Sequence, residues 1–261
     1  MLGKLFKYEM KACARLLLPL YLVLITLSIM DRIILGLNFF KGALAVLPVT
    51  ITVLFILANV AIAVIASVII IFRFYKNMVT DEGYLMFTLP VKPYQLINAK
   101  LIAGSLWIFI SIIVIIAALL LDFGTLSRAD LFWDGVKQFW IEYKGVFGNK
   151  GFILILETII ALIIGIPSGI LQVYASIAIG QLFSGHKILG SVVSYVVLNT
   201  MLQIITTIIM VVAGLTIGND IDDYNALVYL IMPISIAIVL AFTTGFYLIT
   251  NFIFKKKLNL E

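Results

Sequence analysis

Residues 46–72 read VLPVTITVLFILANVAIAVIASVIIIF, 27 positions without a charge. A helix crosses the bilayer core in about 20 apolar residues, whereas a membrane barrel strand needs about 10 in alternation. A continuously apolar run of this length reads as a membrane-spanning helix. Five further stretches qualify: residues 16–38, 95–121, 152–183, 188–217 and 227–254. Most exceed the minimum, so they must tilt or continue as helix beyond the hydrocarbon. The first is the weakest, because Asp31 and Arg32 interrupt it near its far end.

The rest of the composition agrees. Of 261 residues, 63% are apolar and 12% charged, and the mean hydropathy is +1.19. Soluble domains hold roughly 45–50% apolar residues and about twice this share of charge. A soluble globule and a disordered chain are both excluded. A single cysteine, Cys13, excludes a disulfide framework, and a single histidine, His186, excludes most histidine-based metal centres. The fold class that follows is an all-α integral membrane protein, one transmembrane domain over residues 1–261.

Basic residues set the orientation, since cytoplasmic segments collect Lys and Arg. With the N-terminus inside, 12 of the 18 basic residues lie on the cytoplasmic side and 6 outside. Asp220, Asp222 and Asp223 cluster in the last outer loop. Both termini are expected in the cytoplasm, with residues 255–261 a basic tail. The positive balance then reports orientation and contact with anionic lipid, and nucleic acid is not expected as a partner.

Lys4, Lys7, Lys11 and Arg15 recur at spacings of 3, 4 and 4, along one side of a helix. Residues 1–15 are expected to form an amphipathic helix on the inner leaflet, too basic for a signal peptide. It serves either as a topology anchor or as a lever moving with the first span.

Between spans 2 and 3 the chain reads RFYKNMVTDEGYLMFTLPVKPYQL, residues 73–96. Thr80 is placed to cap a short helix with Asp81 and Glu82 in its first turn, favourable at the positive end of a helix. Tyr84, Leu85, Phe87 and Leu89 make the segment apolar, Pro90 stops it, and Pro93 opens the third span. Such a helix is either a docking surface or an interfacial helix resting on lipid. Between spans 3 and 4, Leu131, Phe132, Val136, Phe139, Trp140 and Tyr143 recur at helical spacing. This predicts an outer interfacial helix, as membrane anchor or as gate.

Two stretches approach catalytic motifs. GQLFSGHK at 180–187 approaches an ATP-binding loop, but histidine displaces the lysine and no strand precedes it. GIPSG at 165–169 places a serine in a span, yet His186 lies eighteen residues on, roughly 27 Å along a helix. Neither supports catalysis by this chain. Asn59, Glu157, Gln172, Asn199 and Gln203 are polar residues within spans. Interhelical hydrogen bonding is their default role and lining a translocation path the sharper one.

DEGY at 81–84, FTLP at 87–90 and Lys100 opening the next span together resemble the membrane subunit of type-2 ATP-binding-cassette exporters. The resemblance extends to the basic N-terminal helix, the six spans, and Gly180-Gln181 with Lys187. It implies a cytoplasmic coupling helix between spans 2 and 3 that docks on a soluble ATPase. Asp81, Glu82 and Gly83 would stand at its start, Tyr84 and Phe87 on its docking face, and His186 and Lys187 at a smaller second contact. ATP and Mg would be bound by the ATPase subunits, with no cofactor and no catalysis in this chain. A second permease copy or a paralogue would complete the path, in the inner (plasma) membrane. One departure is that the larger outer segment follows the third span, whereas several relatives place theirs between the last two. The alternative from the residues alone is a standalone secondary transporter or channel.

Overall fold

The structure, a computed structural model, describes residues 2–36, 46–80, 82–83, 91–123, 126–183, 185–217 and 230–256. Among them are seven α-helices: α1 (Leu2–Gly36), α2 (Val46–Val79), α3 (Pro93–Phe123), α4 (Leu126–Phe147), α5 (Gly151–Gly180), α6 (Lys187–Ile217) and α7 (Met232–Lys256). A 3-10 turn, Gly148–Lys150, joins α4 to α5, and no strand occurs among the described residues. All except α4 are long and apolar enough to cross a membrane. Large apolar side chains such as Leu22, Val60, Phe152 and Val196 are exposed along these helices. The chain is a multi-pass helical membrane protein, because helices satisfy their backbone internally and lipid covers such faces.

Several boundaries differ from expectation. The basic segment and the first span form one helix: α1 runs unbroken from Leu2 to Gly36 through Pro19, with no division at residue 15. Good helix formers on both sides carry it across. Helix α2 continues seven residues past its apolar stretch, to Val79. The fourth span ends at Gly180 rather than at residue 183, because turns begin at Gln181. The sixth span, α7, starts at Met232; residues 227–229 and 257–261 lie outside the described residues, as does the Asp220, Asp222 and Asp223 cluster. Pro93 is the first residue of α3, where its missing N–H costs no helical bond. The helix expected between spans 3 and 4 is present as α4, continuous from Leu126 to Phe147.

The chain forms two compact units. Unit 1 comprises Met1–Leu2, Ile71–Ile102 and Tyr143–Glu261; unit 2 comprises Gly3–Ile70 and Ala103–Glu142. In unit 1, α5 packs against both α6 and α7. The second half of α5 is mostly buried, and Ala175, Ala178 and Gly180 keep it narrow enough for close approach. In unit 2, Cys13, Leu17, Tyr21, Leu24, Ser28 and Asp31 are buried on α1 at spacings of 4, 4, 3, 4 and 3. That repeat keeps one seam turned inward, as in coiled-coil packing. Tyr21 shares a 2.6 Å hydrogen bond with Ser111 of α3, and Ser28 Oγ donates to the Ala118 carbonyl at 2.8 Å.

Candidate functional site

The site grows from the last turns of α2. Phe74 and Met78, four residues apart, are fully buried on one face. The Phe74 ring stacks on Tyr174 of α5, centroids 3.5 Å apart and 9° from parallel, and meets Phe254 of α7 edge-on at 5.8 Å. Aromatic geometry of this kind fixes orientation as well as burying area. The end of α2 is thereby clamped to α5 and α7.

Beyond this clamp the chain turns sharply. The Thr80 hydroxyl donates to the Lys76 carbonyl, while Glu82 and Gly83 beyond it are helical. Helix α2 reaches Val79, so its carbonyl one turn back is the nearest acceptor for Thr80. Gly83 N–H donates to the Thr80 carbonyl at 2.7 Å. A Cβ on Gly83 would lie 2.9 Å from the Met78 carbonyl carbon and oxygen, so the turn tolerates only glycine without moving backbone. Lys76 Nζ holds Glu82 Oε1 at 2.8 Å, both side chains about half exposed. Asp81, Tyr84 and Phe87 lie outside the described residues, as does the rest of the expected coupling helix.

The connection from α5 to α6 forms the other wall. A Cβ on Gly180 would fall 2.5 Å from Ser191 N and 2.6 Å from Ser191 Cα, so glycine is what lets the start of α6 touch the end of α5. Gln181 is buried there, and Gly190 N–H donates to the His186 carbonyl at 2.9 Å. An open cleft of about 520 Å³ is lined by Tyr75, His186, Lys187, Ile188 and Leu189, with Gly185 at its rim. Tyr75 and Lys76, adjacent on α2, thus connect the two predicted contacts: Tyr75 faces the cleft of His186 and Lys187, and Lys76 holds Glu82.

The intramembrane polar residues are only partly brought together. Gln172, buried on α5, donates from Nε2 to Asn199 Oδ1 of α6 at 3.4 Å, a long hydrogen bond. Gln203 is exposed one turn further along α6. Glu157 is half-buried with Oε2 unbonded, fifteen residues before Gln172 on α5, roughly 22 Å away along the axis. Asn59 belongs to unit 2, where Nδ2 donates to the Phe55 carbonyl at 2.8 Å and Oδ1 has no partner.

Unit 2 also holds a feature that sequence reasoning missed. Asp31 is fully buried and accepts a 2.8 Å hydrogen bond from Thr52 Oγ1 of α2, while its Oδ2 has no hydrogen-bond partner. The signal was present in the 3- and 4-residue spacing of Cys13, Leu17, Tyr21, Leu24 and Ser28, which Asp31 continues. Lys4, Lys7, Lys11 and Arg15 are all exposed, on the side of α1 opposite that seam. The basic stripe therefore continues the face on which Leu18, Leu22 and Ile29 stand exposed.

Chemically, the cleft and turn offer one imidazole, a phenol, two ammonium groups and a carboxylate around polar backbone. That suits ionic and hydrogen-bonded docking. No group of three metal-ligating side chains occurs among the described residues. No protein-family model, curated protein or solved structure matches this chain.

Proposed function

We propose that this chain is the permease subunit of an ATP-binding-cassette transporter, an exporter, working in the inner (plasma) membrane with both termini cytoplasmic. Separate soluble ATPase subunits bind ATP and Mg and dock on the connections after α2 and after α5. A second copy or a paralogue supplies the other half of the path. The observation that carries this reading is the meeting of the two connections at Tyr75 and Lys76, with α2 clamped below them through Phe74 and Tyr174. A push delivered at Glu82 or His186 enters one packed unit, so a rigid element is available to transmit motion to the spans. The chemistry of this subunit is binding and reorientation, with no bond made or broken in it.

The test is co-purification with a soluble ATP-binding-cassette ATPase subunit expressed together with this chain. Charge reversal at Asp81 and Glu82 should abolish the complex while leaving the detergent-solubilised chain monodisperse. A complex that survives both reversals and deletion of residues 80–90 would sink the docking reading.

A standalone secondary transporter is favoured by one observation, the buried carboxylate of Asp31. Ionisable groups inside a membrane domain mark coupling sites for protons and ions. That reading expects substrate movement by this chain alone in liposomes, driven by an ion gradient and lost in Asp31→Asn.

A further inference from the structure

Unit 2 gathers negative charge toward one end of its helices. Tyr21 meets Ser111 and Ser28 meets the Ala118 carbonyl, both pairs 90 positions apart, so α1 and α3 run parallel in one register. That register sets Asp31 at the level of Leu121 and Asp122, in the last turn of α3, which ends at Phe123. Neither helix has a basic residue in its last turn to answer the negative end of its dipole. The final carbonyls of α3 make no hydrogen bond within their own helix. Thr52 of α2 reaches the Asp31 carboxylate as well, donating to Oδ1 at 2.8 Å. Asp31 Oδ2 has no hydrogen-bond partner, on a side chain with no exposed surface. Arg32 stands about 100° further round α1 and is exposed, and Asp122, itself buried, has contacts of its own. One carboxylate is thus enclosed with a single neutral donor, and a buried charge needs a partner of opposite sign.

We infer that Asp31 holds a sodium ion in unit 2, through Oδ2 and the remaining lone pair of Thr52 Oγ1, with the terminal carbonyls of α3 alongside. The donors select this occupant. All are oxygens, the ligands of hard cations rather than of metals that seek nitrogen or sulfur. Asp31 supplies one charge, which a monovalent ion balances, and no group of three metal-ligating side chains occurs among the described residues to hold a divalent one. Helix C-terminal ends are where membrane domains coordinate sodium, because their carbonyls point out of the helix with negative potential. The 2.8 Å contact between Thr52 and Asp31 keeps α1 and α2 close at this point, which favours a small ion over potassium. The site asks nothing of an ATPase, and it stands whether or not ion binding drives transport.

Thermal unfolding of the detergent-purified full chain tests the site, in sodium chloride against N-methylglucamine chloride at constant ionic strength. The midpoint should rise by a few degrees for each tenfold increase in sodium beyond half-saturation, and potassium should raise it less. Asp31→Asn keeps the size and removes the charge. It should abolish the sodium dependence and be at least as stable as the parent chain in N-methylglucamine. Thr52→Val should keep the dependence but raise the half-saturating sodium concentration, roughly tenfold for a lost ligand contact. Sodium NMR line broadening by the parent chain, absent with Asp31→Asn, gives a second measurement that needs no unfolding. A midpoint that ignores sodium overturns the inference, and recovery of stability on acidification alone would assign the balancing charge to a proton. A sodium response that Asp31→Asn retains overturns it as well. Stronger stabilisation by millimolar calcium than by sodium would overturn the monovalent assignment. None of these outcomes bears on ATPase docking, so the permease reading stands or falls separately.

Discussion

Thr52 Oγ1 lies 2.8 Å from Asp31 Oδ1, and this contact joins α2 to α1 at a carboxylate with no exposed surface. A buried charge-bearing group is stabilised by the donors around it, and here one of its two oxygens has no hydrogen-bond partner. The pair is therefore sensitive to loss of its single donor.

Thr52→Val keeps the shape and removes that donor, so it should cost about 1–3 kcal/mol, the usual penalty for a newly unsatisfied buried group. In thermal unfolding of the purified chain this appears as a fall of several degrees. Thr52→Ser should recover most of it. Combining Thr52→Val with Asp31→Leu should be milder than Thr52→Val alone, since replacing both partners by apolar groups removes the stranded polar atom. A double variant less stable than either single one would contradict this account.

Tyr174 carries the stack that anchors α2 in unit 1. Tyr174→Ala should destabilise by about 3–5 kcal/mol, through lost contacts and a cavity beside Phe74. Tyr174→Phe should be much milder than Tyr174→Ala, because the ring that stacks on Phe74 remains. Denaturation midpoints of the two variants separate ring packing from the hydroxyl.

Gly180→Ala places a Cβ against the backbone of Ser191. The start of α6 must then move, taking His186 and Lys187 with it. Expected consequences are reduced yield of monodisperse protein and increased protease sensitivity between α5 and α6. Ser191→Gly should not rescue it, since the clash includes Ser191 N and Cα. Rescue by that change would show that the side chain alone was responsible.

Replacing Lys4, Lys7, Lys11 and Arg15 together by Gln removes a third of the basic residues assigned to the inner side. Each contributes about 1 kcal/mol at an anionic surface, and the first helix usually dominates orientation. Partial inversion of the chain is expected, read in a Cys13→Ala background by reactivity of a cysteine placed at Gly3 with an impermeant thiol reagent in intact cells. Uniform protection of that cysteine in the neutralised chain would show that later loops set the topology.

The helices were legible because their signals are local. A run such as residues 46–72 has no alternative in lipid, Pro93 marks a helix start, and the aromatic spacing from Leu131 to Tyr143 marks α4. At Thr80 a hydroxyl follows directly on α2, and the extension of α2 to Val79 brings the Lys76 carbonyl within its reach as acceptor. Asp31 was taken as an interruption of an apolar run, whereas it is a buried group whose partner stands on another helix 21 residues later.

Composition alone determined that this chain lives in a membrane as a set of helices, since no other arrangement satisfies the backbone of such a sequence. Charge spacing along α1 also determined which side of that helix is basic. Only the tertiary structure decided which polar side chains meet. Tyr21 with Ser111, Asp31 with Thr52, and Gln172 with Asn199 are separated by 90, 21 and 27 positions. Lipid accepts any apolar face equally, so hydropathy is silent on which face of a span turns to a neighbouring helix. Close packing and the demand of each buried polar atom for a partner make that choice.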